Sequence, residues 1–172
     1  MRYVELRRHT DNDGDRLTLR GVADAHVISG RLHPPYDVFV STGAARCTQM
    51  LEILRSAAGQ DDVPVTDAPG LRSSVEDRWR EASRAAGKGA DVEAMRVVDP
   101  DLVERESWLL GETLRQVVNQ LPDGGRALVV GHSPTNEAAV LGLTRRPVPP
   151  LGKGEGVLLV EDHGAYRVER LD

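Results

Sequence analysis

Three short stretches of this chain each place a basic or imidazole side chain where an apolar strand runs out. They are Arg8-His9 after Tyr3-Val4-Glu5-Leu6, Arg46 within Ser41-Thr42-Gly43-Ala44-Ala45-Arg46-Cys47-Thr48-Gln49 after Val38-Phe39-Val40, and His132 after Ala127-Leu128-Val129-Val130-Gly131. In an open α/β sheet, ligands bind at the strand ends where chain turns into helix, so segments far apart in sequence can deliver side chains to one crevice. Two arginines and two histidines gathered there suit a tetrahedral oxyanion. The guanidinium is a rigid fork of donors, and an imidazole is a nucleophile or a donor according to its protonation. The chemistry such a set points to is phosphoryl transfer through histidine, with a neutral ring attacking phosphorus while fixed donors hold the equatorial oxygens.

The elements that must position these residues alternate. Residues 2–6 read as a strand, followed by a polar loop over Thr10–Arg16 and a helix over about 18–32, with Thr18 as N-cap and Val22, Ala25, Val27 and Ile28 as its apolar stripe. A second strand at 36–40 leads into a helix at about 44–58, with Met50, Leu51, Ile53 and Leu54 inward and Gly59 as its stop. A short strand covers 63–66. Residues 67–99 carry the weakest pattern: Gly70, Gly87 and Gly89 punctuate helical fragments such as 75–86, in which Trp79 reads as a packing residue. A long helix at about 100–120 begins with Pro100 in its first turn and counts Leu102, Trp108, Leu109, Leu114 and Val117-Val118 among its apolar positions. A buried strand at 126–130, a helix at 134–143 and a hairpin of 157–160 with 166–171 around Asp162-His163-Gly164 complete the chain. The expected fold is a three-layer α/β/α sandwich with a mostly parallel central sheet and an antiparallel C-terminal edge. It forms one domain over 1–172, with a reduced insertion at about 67–99.

With 172 residues, 40% of them hydrophobic, the chain can bury one full core. A net charge of -5 and an isoelectric point near 5.6 argue against general affinity for nucleic acid or an anionic membrane. Lysine occurs only at Lys88 and Lys153, and the scattered arginines read individually as surface charges. Cys47 stands alone, which excludes an internal disulfide and fits a reducing compartment. The opening residues have too short an apolar run for a leader peptide, and no later run is long enough for a membrane span, so the expected location is cytoplasmic.

In order and spacing these stretches resemble the histidine phosphatase superfamily, the phosphoglycerate-mutase-like fold. Arg8-His9-Thr10 stands where that family has Arg-His-Gly, and Leu17-Thr18-Leu19-Arg20-Gly21-Val22-Ala23-Asp24-Ala25 matches its following helix start. Ser41–Met50 with Arg46 matches its arginine motif, and Val129-Val130-Gly131-His132-Ser133-Pro134 matches its last element. The resemblance covers nearly the whole chain. It implies that His9 is the nucleophile and that Arg8, Arg46 and His132 hold the phosphoryl oxygens. Arg7 should point away from Arg8 by strand alternation. The compact length is closest to the small bacterial phosphohistidine phosphatases, since true mutases carry a larger cap.

Two departures stand out. Thr10 replaces the glycine after the nucleophile, so the turn there must tolerate a β-branched side chain. The family's proton-donating glutamate, two residues after a leucine, falls on Ser73 when counted from Leu71; Glu76 is the candidate replacement, ahead of Glu81 and Glu112. The resemblance implies a metal-independent phosphatase without cofactor, acting on a small phosphorylated metabolite or a phosphohistidine protein, with specificity residues in 67–99 and near Arg145-Arg146. The alternative is a catalytically silent phosphate-binding member. Asp11-Asn12-Asp13-Gly14-Asp15 fails as a calcium loop because Arg16 and Val22 replace the required glycine and glutamate. Gly131-His132-Ser133-Pro134-Thr135, followed by Asp162 and His163, is a near-miss to a serine esterase elbow. His26, His33 and His163 read as structural or exposed.

Overall fold

Side-chain alternation decides what each face of the sheet must meet. The computed structural model describes residues 1–172 and begins with β1 (Arg2–Arg8), whose Val4 and Leu6 face one layer of helices. Glu5 and Arg7 face the other. There Arg7 Nε donates to Glu5 Oε2 at 2.6 Å, and the Tyr36 hydroxyl donates to Glu5 Oε1 at 3.0 Å. The polar stretch expected as a loop forms a miniature hairpin of β2 (Asn12–Asp13) and β3 (Arg16–Leu17). Helix α1 (Leu19–Ser29) starts at Thr18, whose hydroxyl accepts from Gly21 N, a cap worth about 1 kcal/mol.

Strand β4 (Val38–Ser41) feeds α2 (Ala45–Ala57), and β5 (Val65–Asp67) leads through a 3-10 turn at Pro69–Leu71 to α3 (Glu76–Ala86) and α4 (Val92–Val98). Helix α5 (Pro100–Asn119), β6 (Arg126–Gly131), α6 (Thr135–Thr144), β7 (Gly156–Asp162) and β8 (Ala165–Leu171) follow. The six-stranded sheet has the order β5-β4-β6-β1-β7-β8. Its first four strands are parallel, and β7 and β8 close it antiparallel. The β7–β8 turn uses His163 and Gly164, both at positive φ, as a tight two-residue hairpin requires.

Strand β6 shows why the sheet is covered on both sides. Ala127 and Val129 join the apolar layer under α3–α6, whereas Leu128 and Val130 join that under α1 and α2, and all four are buried. A strand without a polar face has to lie at the centre of a sandwich. Helices α5 and α6 meet backbone to backbone: a Cβ on Gly142 would lie 1.8 Å from Ser107 O, and one on Gly111 would lie 2.9 Å from the Gly142 carbonyl carbon.

Three expected core positions lie outside. Val27 is 59% exposed, Trp108 64% and Leu109 41%. Trp108 is two residues from both Glu106 and Leu110, the inward positions of α5, and two residues on a helix reach the opposite side. Arg7 departs from the surface reading of the arginines: it is 1% exposed because the Glu5 carboxylate lies two residues away on the same strand face. No helix is long and apolar enough to cross a membrane.

Candidate active site

His9 continues β1 by one residue, its N–H donating to Gly131 O at 3.0 Å. Nδ1 lies 2.8 Å from Thr10 O, so Nδ1 carries the proton and Nε2 keeps its lone pair. Burial lowers the pKa of His9 to about 4, opposed by the Thr10 carbonyl and assisted by the positive charges of Arg46, Arg8 and Lys153. The ring is therefore neutral at pH 7.

Arg46, in the first turn of α2, bridges the two imidazoles. Nε donates to His9 Nε2 at 3.3 Å and Nη2 to His132 Nδ1 at 3.1 Å, while Nη1 is held by Asp15 at 2.9 Å. Asp15 also accepts from the N–H groups of Ala45 and Arg46, capping a helix whose own N-cap, Ala44, offers no side-chain acceptor. Because Arg46 can only donate, His132 accepts at Nδ1 and donates from Nε2 to Thr42 Oγ1, 2.9 Å away. Burial, then Arg46 and His9, lower the His132 pKa to about 4. The two rings stand edge to face at 5.6 Å. Cys47 lies beside them, but burial pushes its thiol up to about 11.

Arg8 stands one step back from this group. It shares the face of Val4 and Leu6, donates from Nη1 to Leu151 O at 2.8 Å, and keeps a buried Nε without an acceptor. Burial draws its pKa down, against Glu137 and Glu155. It adds to the positive field at His9 without lining the cavity described next.

His9, Arg46 and His132 form the floor of a cavity of about 410 Å³. Its wall comes from the 73–84 segment and includes Ser73, Glu76, Trp79, Arg80 and Arg84, and Ser133, Pro134 and Thr135 beside His132 complete the lining. Glu76 does reach the site, yet Arg72 Nε donates to it at 2.8 Å and holds its carboxyl below the usual range. Glu81 and Glu112 do not line it; they pair with Arg84 and Arg115 along their own helices. Arg145 lines a separate groove with Trp108 and Arg146 is exposed, so neither belongs here. Thr10 is accommodated without a positive φ: its hydroxyl donates to Gly21 O at 2.8 Å, tying the turn to α1.

The rival motifs are taken apart by geometry. Ser133 donates to Glu137, while Asp162 and His163 pair at the exposed tip of the last hairpin. Asp11 faces Thr18 and Lys153, and Asp15 faces Arg46, so the acidic loop does not converge. His26, His33 and His163 are exposed.

Sequence reasoning missed Asp15, Thr42 and a buried group behind the wall. Ser73 Oγ donates to Glu106 Oε1, Trp79 Nε1 donates to the same oxygen at 3.1 Å, and Val75 N donates to Ser73 Oγ at 3.0 Å. Glu106 is 5% exposed. Its position, between Val103 and Leu110 on the inward stripe of α5, was the available signal.

No protein-family profile and no curated protein sequence matches the chain. Solved structures do. A phosphoglycerate mutase from Bacillus anthracis str. Sterne superposes with TM-score 0.76 at 18% identity, over 98% of this chain and 92% of that one. A phosphoserine phosphatase from Entamoeba histolytica in complex with 3-phosphoglyceric acid gives 0.67 at 15%, over 100% and 98%. The protein histidine phosphatase SixA, complexed with tungstate, gives 0.62 at 17%, over 99% and 96%. The fold is that of the phosphoglycerate-mutase-like histidine phosphatases. The chain is similar in size to SixA, of which it spans 96%, and it spans 92% of the mutase.

Proposed function

We propose that this chain is a phosphatase that hydrolyses a phosphomonoester or phosphoramidate through a phosphohistidine on His9. The observation that carries the reading is the neutral His9 ring, its Nδ1 proton fixed by the Thr10 carbonyl and its Nε2 lone pair turned toward Arg46 beside His132. On substrate binding, Arg46 Nε transfers its hydrogen bond from His9 to a phosphoryl oxygen and so frees the nucleophile. The arriving dianion favours a protonated His132, which then donates to a second oxygen. Arg8 completes the positive field from behind the floor. These groups supply the charge that metal ions supply in two-metal phosphatases, so the reaction proceeds without metal or cofactor.

Residues 67–99 act as a reduced cap. Their contribution to the cavity is almost wholly polar, and with Arg80 and Arg84 on the wall the substrate is polar beyond its phosphoryl group. The compartment is cytoplasmic, and the substrate is a small phosphorylated metabolite or a phosphohistidine protein. Rapid quench with a labelled aryl phosphate should trap phosphoprotein that is lost in acid and survives base, and none in His9→Ala. Unchanged turnover in His9→Ala removes the reading; phosphate binding without any turnover leaves a silent binding protein.

A further inference from the structure

A carboxyl group stands one residue behind the cavity wall, joined to the cavity by one hydroxyl and one indole N–H. Glu106 comes from α5, deep in the apolar layer, and its Oε1 receives hydrogen bonds from Ser73 and Trp79, both of which line the cavity. Both partners are neutral, and no cationic side chain pairs with Glu106. A charged-type side chain in such a place costs stability unless it is fully partnered, and an apolar residue would pack the same volume more cheaply. Ser73 is itself buried, receives the Val75 N–H, and is the one link from Glu106 to the floor that could pass a proton both ways, because the indole N–H of Trp79 only donates.

Resting on the reading of His9 as nucleophile, we propose that Ser73 and Glu106 form a proton relay serving the leaving group. In the first step His9 Nε2 bonds to phosphorus as the bond from phosphorus to the leaving oxygen breaks. That oxygen takes the Ser73 hydroxyl proton, and Ser73 Oγ takes the proton of the Glu106 carboxyl, leaving a carboxylate. In the second step water attacks phosphorus and the phosphorus–nitrogen bond breaks. The water's proton passes to Ser73 Oγ, whose own proton returns to Glu106, and inorganic phosphate departs. Donation from Ser73 to Glu106, as the structure has it, is the arrangement that opens this second step; the first step requires the reverse, a carboxyl proton on Glu106 directed at Ser73 Oγ. Ser73 is the catalytic residue in this scheme and Glu106 a positioning residue acting through it. Glu76, held ionised by Arg72, is spared the acid role.

The test is the chemical step, measured by rapid quench across a series from nitrophenyl to alkyl phosphates, in the wild type, Ser73→Ala, Glu106→Gln and the double variant. General acid assistance is worth about 10² to 10⁴-fold and matters most for poor leaving groups. The wild type should show a shallow dependence on leaving-group pKa. Each single variant should lose about 10² to 10⁴-fold on alkyl phosphates and under about 10-fold on nitrophenyl phosphate, with the double variant no worse than either. Equal losses on aryl and alkyl substrates would mark the pair as structural and overturn the relay. So would a slope unchanged from wild type, or additive losses in the double variant. Phosphohistidine trapped from nitrophenyl phosphate in every variant keeps the two ideas apart, since its absence in the wild type sinks the His9 reading instead. Should Glu106→Gln fold poorly, Ser73→Ala, which removes one hydroxyl, carries the test alone.

Discussion

The floor and the wall of the cavity are built on different principles. Floor residues sit at or just past the ends of β1 and β6 and in the first turn of α2, so the hydrogen-bonded sheet sets their spacing before any side chain is chosen. Wall residues come from the 73–84 segment, whose helix α3 packs through Trp79 and Ala82 and otherwise faces water. Donors fixed around a reacting centre need little reorganisation as charge develops, and this is what the proposed reaction would draw from the floor. The wall instead offers variety: a serine with a carboxyl behind it, an ion-paired glutamate and two arginines.

If this division holds, damage to the floor should cost far more than damage to the wall. Arg46→Ala should lower kcat by about 10² to 10³, as loss of one preorganised donor does, with KM altered less. A loss below about 10-fold on an aryl phosphate would place the essential donor elsewhere.

A dry floor also has a titration. With pKa values of about 4, His9 and His132 should show flat ring resonances by NMR from pH 7.5 down to about pH 5, where each remains about nine-tenths neutral. Two rings titrating near 6.5 instead would show a wet floor. The sign for stability follows. The unfolded chain takes up protons near pH 6.5 that the folded one refuses until about 4, so these two groups lower stability as pH falls between those values.

The smallest effect belongs to the wall's ion pair. Glu76 and Arg72 are each 39% exposed at the side chain, and such pairs contribute about 0 to 1 kcal/mol, so Glu76→Gln should shift activity on alkyl phosphates by less than about 5-fold. A drop of about 10² or more confined to poor leaving groups would return the acid role to Glu76 and blur the contrast between the regions.

The same contrast explains what could be read from the chain. His9, Arg46 and His132 announce themselves because an apolar run ending in a basic residue is a local pattern, and their meeting requires only that β1, β4 and β6 be neighbours. Thr18 was legible as a cap for the same reason. Asp15 was not: its partner lies 31 residues away, and nothing local distinguishes it from the other acids of its loop. Glu106 and Ser73 are 33 residues apart and meet because the turn at Pro69–Leu71 packs on α5, a tertiary fact. Trp108 misled because an indole in an apolar helix reads as core, whereas only its angular position on the helix reveals the outward side. Arg8 follows His9's local pattern, but its reach toward Leu151 depends on the segment after α6, which carries no pattern of its own.

The glycine crossing of α5 and α6 acts as a zero-clearance joint. His132 precedes α6 and Glu106 adjoins Ser107 at the crossing, so the gauge between the histidine side of the pocket and the carboxyl behind it is set by absent methyl groups at Gly142 and Gly111. A single carbon there would act as a shim, prising the two sides apart and upsetting the reach of the hydroxyl between them.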